Sequence, residues 1–567
     1  VKLFVIDSVK KLNRIKKKNR FMCTSFKISL SSAIIEKILL IFLLIFSYYI
    51  TFKAGERGFF AFDQSIVFDG GFRIFSGQIP YKDFLIPFGP IVFCIQAVFF
   101  KIFGVNYFAY IFAAAFINLL ATFLSYWLIT ILYPDRRYFG LISGLLTAVW
   151  FYPPFGTPWP DQTSFFFFLS GLFFIIYAIL KELNPKLRLL IIFCSGVLIF
   201  LAFCSKQNVG LLILPLFVTL IIYNYRQNLR SLSSSLYSFL TGFLAGIIGF
   251  LLWIKNFSDM NNFIYYFLKL PANLGIKRLL TNWYYFLQEF KQEGLLSWRV
   301  GFFVVLVVLA FFIFSRLLKS SQRKEQNKNL IIANIISLYL IFFQIFFIYL
   351  TFNQPENGLS FNGIIFVVIF DFILKQLIRK NIWGVEAKIL KIALLGGIGL
   401  CLVILGINVS LSRRVHDIFK DSRFPHYFNN IEQLKNLKWG NPTIIDGVEV
   451  KESDIVNLYR YLQAENRHFF IFPDFTIFYG LLNMPSPQPI LWFHKGITYP
   501  EIYNSQLDNW LVQALESSHI EIVVLEEKSR INTKTRFNDF PQLRNYIFQN
   551  YRLIKKLRIF MIYLKSE

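Results

Sequence analysis

A polytopic α-helical membrane protein carrying a small C-terminal α/β domain is the architecture this sequence predicts, and three observations predict it. Of the 567 residues, 55% are hydrophobic and only 16% charged, a balance that fits neither ordinary soluble enzymes nor disordered chains. Apolar stretches recur throughout residues 1–410, most of them near the ~20 residues needed to cross hydrocarbon. Residues 411–567 then change character, mixing both signs of charge with short strand-like and helix-like runs.

The N-terminal segment, residues 1–36, carries Lys10, Lys11, Arg14, Lys16, Lys17, Lys18 and Arg20 ahead of the first long apolar run at 37–51. A long polar leader, with no small-residue cleavage site after the run, favours an uncleaved anchor over a signal peptide. Further apolar stretches lie near 107–132, 138–152, 163–181, 188–204, 209–225, 235–254, 299–318, 330–350, 359–378 and 388–409, which makes about eleven spans. The formal charge of +26 would suggest nucleic acid as a partner for a soluble chain. Its distribution argues for no nucleic acid, because residues 1–410 hold 39 basic against 16 acidic residues and 411–567 only 20 against 17. The basic residues gather in alternate gaps, Arg136/Arg137, Lys181 to Arg188, Arg226/Arg230, Arg316 to Lys328 and Lys375 to Lys391, whereas 151–162 and 351–360 contain none. Cytoplasmic loops retain Lys and Arg, so the N-terminus is expected in the cytoplasm of a bacterial cell. An odd number of spans then exports residues 411–567 across the cytoplasmic (inner) membrane.

The chemistry concentrates on the exported side. The first exported loop, 52–106, contains Asp63, Asp69 and Asp83, the glycines Gly70, Gly71 and Gly77, and a turn at Pro80-Tyr81-Lys82-Asp83. The apolar segment 86–103, broken by Pro87, Gly89 and Pro90, reads as a helix lying at the interface. Single loop carboxylates are commonly solvated or cap helices, but an Asp beside a span and under Phe59, Phe60, Phe62 and Phe68 is costly unless paired or used. Asp161 follows an uncharged Pro-rich turn, where it either caps the fourth span or serves the site. Lys206 sits in a very short link between two spans, where it either snorkels to headgroups or holds a lipid phosphate. All five histidines fall in 411–567, so proton transfer at the membrane surface is expected to fall to a carboxylate, Lys or Tyr, with Asp63 leading. The five cysteines all lie in or beside the membrane part and imply no disulfide framework.

Asp63-Gln64, the run SGQIPYKDF (76–84), Gly89-Pro90, KIFG (101–104) and SKQ (205–207), taken in this order and on one face, resemble the GT-C glycosyltransferases of the membrane. That broad group contains protein O-mannosyltransferases and lipid A aminoarabinose transferases. The tail segments FIFPDFTIFYGLLN (470–483) and LWFHKG (491–496) also look like exported tails of bacterial members. The likeness of plan covers residues 37–410 and implies a transferase that moves a hexose or pentose from a polyprenyl-phosphate carrier to a lipid, glycan or protein acceptor. One departure stands out, since many members carry Asp-Glu where this chain has Asp63-Gln64. If the Glu position matters, Asp69 or Asp161 has to supply it. This leaves a divalent cation (Mg or Mn), with Asp63 and Asp161 as its ligands if there is one, an open question.

The mechanism expected from this reading is an inverting displacement. Asp63 is the catalytic residue that deprotonates or orients the acceptor hydroxyl. Lys206, assisted by Arg73, stabilises the departing polyprenyl phosphate. Asp69, Tyr81, Asp161 and Gln207 complete the expected substrate-binding set. No glycine-rich phosphate loop appears in the tail, which favours a lipid-linked donor over a nucleotide sugar. The rival reading is a polytopic transporter or lipid flippase. Internal repeats and mid-span charges would mark one, and the ionisable residues here lie mainly at span ends.

Overall fold

The computed structural model describes residues 33–566 apart from 58–60, 322–327, 352–354, 380–384, 413–422, 442, 446–447 and 527–532. Each of the eleven apolar stretches forms a helix. Among the described residues, eight helices are long and apolar enough to cross a membrane, and a ninth span forms if one sharply bent pair counts as one. The long ones are α1 (Ala33–Gly55), α4 (Tyr107–Leu132), α6 (Pro160–Leu180), α7 (Pro185–Ser205), α8 (Gln207–Tyr225), α9 (Leu229–Phe257), α13 (Lys328–Thr351) and α14, which runs over Asn362–Arg379. Shorter apolar helices are α3 (Ile91–Phe103), α5 (Tyr138–Trp150) and the apolar part, Gly396–Leu411, of α15 (Val385–Ser412). The chain is therefore an integral, multi-pass membrane protein.

Local chemistry sets where these helices begin. Asn106, Asn184 and Asn228 each stand at an N-cap, and their side chains accept from the amides of Ala109, Leu187 and Ser231, which supplies partners that the first turn of a helix lacks. Pro160 and Pro185 open α6 and α7, where a missing N–H costs nothing. Inside the bundle a buried polar knot holds α1, α4 and α5 together. Asn118 Nδ2 donates to Thr51 Oγ1 at 2.7 Å and to the Ala148 carbonyl at 2.9 Å, and Asn118 Oδ1 accepts from the Tyr152 amide. At the other end of these helices Asp371, fully buried, takes Arg136 at 2.8 Å and Lys375 at 2.9 Å.

Between α1 and α4 lies α2 (Ala61–Phe75), followed by an ordered turn and α3. The interface helix expected over 86–103 thus begins at Ile91, because Pro87 and Pro90 keep 86–90 out of helix. After α9 comes a region in which sequence reading assigned only the apolar stretch 299–318. It holds a short helix α10 (Met260–Asn262), a π-helical turn over Phe263–Lys269, α11 (Leu270–Glu293) and α12 (Trp298–Ser321). The Met260–Leu296 arm meets the Arg299–Ser315 arm at 84°.

The C-terminal domain is α/β, as expected. Its hairpins β1 (Arg423–Tyr427) with β2 (Lys438–Asn441) and β3 (Thr443–Ile445) with β4 (Val448–Val450) precede α16 (Glu452–Glu465). A mixed four-stranded sheet follows in the order β5-β6-β8-β7, built from β5 (Phe469–Phe472), β6 (Ile522–Glu526), β7 (Tyr551–Leu557) and β8 (Phe560–Lys565). Helices α17 (Ile477–Leu482), α18 (Ser505–Ser517), α19 (Thr533–Asp539) and α20 (Pro541–Asn550) complete it. The strand-like and helix-like runs of the tail sequence thus include β6, α16 and α18. The domain docks on one end of the bundle through backbone contacts. Lys438 N donates to the Glu56 carbonyl, Leu85 N donates to the Pro489 carbonyl at 2.7 Å, and Gly480 of α17 abuts Phe68 of α2.

Candidate functional site

A cavity of about 630 Å³ opens where the N-terminus of α6, the α7–α8 corner, the first half of α11, the end of α13 and the tail loop 492–497 converge. Its inner end is polar. Lys206 is the single residue between α7 and α8, in extended backbone (φ −153°, ψ 118°), and its Nζ donates to Asp161 Oδ2 at 2.6 Å. Asp161 lies in the first turn of α6, behind Trp159 at the N-cap, so it does not cap that helix. Its carboxylate reaches across to the ammonium instead. Both α6 and α8 present N-termini here, and the unpaired amides there favour anions.

Two further groups line the cavity that sequence reading did not single out as site residues. Arg278, on α11, lines the same cavity, half-buried, without a hydrogen bond or ion pair among the described residues. His494, from the tail loop, also lines it. The loop folds over the bundle and is pinned by Thr498, whose Oγ1 accepts from the His494 amide at 2.9 Å and donates to the Trp492 carbonyl at 2.8 Å. The remaining walls are largely apolar, with Phe88, Phe203, Leu211, Phe267, Leu268 and Trp492 among them. Phe263, Tyr266, Phe267, Leu270 and Leu274 recur at three- and four-residue intervals. That spacing, across the π-helical turn and the start of α11, is the signal that would have revealed this stretch as an amphipathic element.

Gln207 lines the cavity and also braces it, donating through Nε2 to the carbonyls of Pro87 at 3.1 Å and Phe267 at 2.7 Å. Asp161, Lys206 and Gln207 are therefore brought together. Tyr81 stands behind the wall, fully buried at φ 65°, and its hydroxyl donates to the Phe88 carbonyl at 2.7 Å. Asp69 and Arg73 are placed elsewhere, one turn apart on α2 under the tail. Both are fully buried, and Arg73 Nε donates to Asp69 Oδ2 at 2.9 Å. Arg73 also donates to the Gln488 carbonyl at 2.7 Å and to the Ser486 hydroxyl, joining α2 to the C-terminal domain. Burial drives the Asp69 carboxyl up to about 6, more than Arg73 beside it can pull it back. Asp63 and Gln64 belong to the first turn of α2, and their side chains lie outside the described residues. Among the described residues no three His, Cys, Asp or Glu side chains gather as a metal centre would require. A cation at Asp161 would have to compete with the Lys206 ammonium for Oδ2.

No protein-family model matches the chain, and no curated protein does. The structure is similar to ArnT, an aminoarabinose transferase, from Cupriavidus metallidurans bound to undecaprenyl phosphate. The identity is 12% and the TM-score 0.49, over 93% of this chain and 97% of that one. For the apo state of the same protein the identity is 12% and the TM-score 0.43, over 94% and 98%. It is also similar to the apo oligosaccharyltransferase of Archaeoglobus fulgidus, with 13% identity and a TM-score of 0.44 over 93% and 74%. At this level of likeness the chemistry of the site rests on its own residues.

Proposed function

We propose that the protein is a membrane glycosyltransferase that takes its sugar from a polyprenyl-phosphate carrier and transfers it with inversion to an acceptor on the face bearing the C-terminal domain. The observation that carries this reading is the polarity of the cavity. One end offers Lys206, Arg278 and two helix N-termini against the single carboxylate of Asp161, while much of the remaining wall is apolar. A phosphate attached to a hydrocarbon chain has the same division.

In the proposed reaction an acceptor hydroxyl oxygen bonds to the anomeric carbon as the bond from that carbon to the phosphate oxygen breaks. The hydroxyl proton passes to Asp63, and the electron pair leaves with the phosphate, whose added negative charge Lys206 and Arg278 hold. Asp161 orients the Lys206 ammonium. Arg73, engaged by Asp69, Gln488 and Ser486, is a positioning residue here that ties α2 to the tail. The orientation proposed is N-terminus in the cytoplasm and tail exported, with the basic clusters at the opposite helix ends.

The test is transfer of radiolabelled sugar from a panel of polyprenyl-phosphate sugars by the full-length protein in lipid, with envelope extracts as acceptors. Asp63→Asn should lower turnover by about 10²–10⁴, the usual worth of a general base, while the protein remains folded. Arg278→Ala should weaken lipid-donor binding. Normal turnover in Asp63→Asn would remove that residue from the mechanism. Lipid binding with no transfer or hydrolysis under any acceptor or metal condition would move the reading to a flippase.

A further inference from the structure

Beside the cavity lies a second recess of about 610 Å³, lined by the adjoining face of the same helix. Asn273 and Lys277 of α11 face it, as does Tyr265 of the π-helical turn, and the tail contributes Glu501, Tyr503 and Gln506. Lys277 and Arg278 are consecutive, yet one lines the second recess and the other the first. Leu274 borders both. Whatever occupies the two spaces is separated by one turn of α11 and the loop 494–497.

The lining of the second recess has its own chemistry. Tyr503 is half-exposed but not free to swing, because its hydroxyl donates to Asp508 Oδ2 at 3.1 Å and accepts from Gln542 Nε2 at 3.1 Å. With the polar tip engaged, what the residue offers is a fixed aromatic face. Around it stand the amides of Asn273 and Gln506, each able to donate and accept, and the Glu501 carboxylate. Glu501 pairs with Lys277 across the recess, with both side chains more than half exposed. An exposed pair of this kind is worth little, so neighbouring hydroxyls can displace it at small cost. A fixed ring face flanked by amides and a carboxylate suits a pyranose, which has an apolar C–H face and a rim of hydroxyl pairs. It suits a lipid tail or an isolated phosphate poorly.

We infer that this recess is a carbohydrate-binding subsite and that the acceptor is a glycan, held with a sugar against Tyr503 while the donor occupies the adjoining cavity. The assignment of the sugar as acceptor rests on the proposed transferase reading; the sugar site itself does not.

The experiment uses the full-length protein in lipid nanodiscs, without donor. Saturation-transfer NMR is recorded with chitotriose, maltotriose and a lipid-free envelope core oligosaccharide. Saturable signal from at least one of them is expected, with the strongest transfer to its ring C–H protons. Tyr503→Phe should keep it, since the ring remains, and Tyr503→Ala or Asn273→Ala should weaken affinity by about tenfold, the scale of one aromatic or hydrogen-bonded contact. No saturable signal from any of the three, or equal affinity in Tyr503→Ala, would overturn the inference. Binding of undecaprenyl phosphate is measured in parallel. Sugar bound without lipid would sink the donor cavity alone, and lipid bound without sugar would sink this subsite alone.

Discussion

Lys206 and Asp161 show how a one-residue link becomes chemistry. Read singly, each had an ordinary role at a helix end; at 2.6 Å, with Asp161 almost wholly buried, they form a pair. Removing the ammonium strands a buried carboxylate, so Lys206→Ala should destabilise the protein by on the order of 3 kcal/mol as well as weaken donor binding. Asp161→Asn added to Lys206→Ala should recover thermal stability without recovering donor binding, and recovery of both would argue against a phosphate role for Lys206. Asp69 makes a separate expectation about pH. Its carboxyl is raised from 3.8 to about 6 when folded. Its contribution to stability is therefore fully present below the unfolded value and lost as pH rises through the folded one. Between pH 5 and pH 7.5 this amounts to about 1 kcal/mol. Unfolding curves at the two pH values should show wild type gaining that much, relative to Asp69→Asn, on going to pH 5; a gain at the higher pH would contradict the assignment. The pairing of Asp69 with Arg73 was within reach of the sequence, being an i, i+4 spacing on a helix. Their burial under Ser486 and Gln488 was not, because some 400 residues intervene.

Among elements, the turn 76–90 decides whether the cavity exists. It carries Pro87 and Phe88 into the wall, and Gly89 behind them meets the α7–α8 corner so closely that a Cβ there would stand 1.4 Å from the Cys204 carbonyl oxygen. That approach is the physical need for glycine in the Gly89-Pro90 pair. Gly89→Ala should push the turn off the corner, cost about 1–3 kcal/mol or more in stability, and lower donor binding. A thermal midpoint equal to wild type would show that the turn yields freely. The helix α11 belongs to the same scale. Its mixed composition kept it out of a reading built on long apolar runs, although its apolar positions do repeat with helical spacing. The apolar spans were legible for the opposite reason, since hydrocarbon demands ~20 consecutive apolar residues and leaves few alternatives.

For the whole molecule, the arrangement of charge and domain makes one topological prediction. In a background with the five native cysteines replaced by serine, a membrane-impermeant maleimide added to intact spheroplasts should label Ser505→Cys and spare Arg230→Cys. The reverse pattern would invert the orientation. Sequence alone determined the membrane class, the order of the eleven apolar helices and the α/β tail. These follow from hydropathy, chain connectivity and basic-residue placement, all of which are local or additive along the chain. Only tertiary structure decided which of the polar residues share a space. It put Arg278 and His494 beside Asp161 and Lys206, and it set Asp69 and Arg73 apart as a clasp between α2 and the tail. The reason is physical. A cavity is enclosed by segments distant in sequence, held by the docking of a domain whose contact surface no single segment encodes.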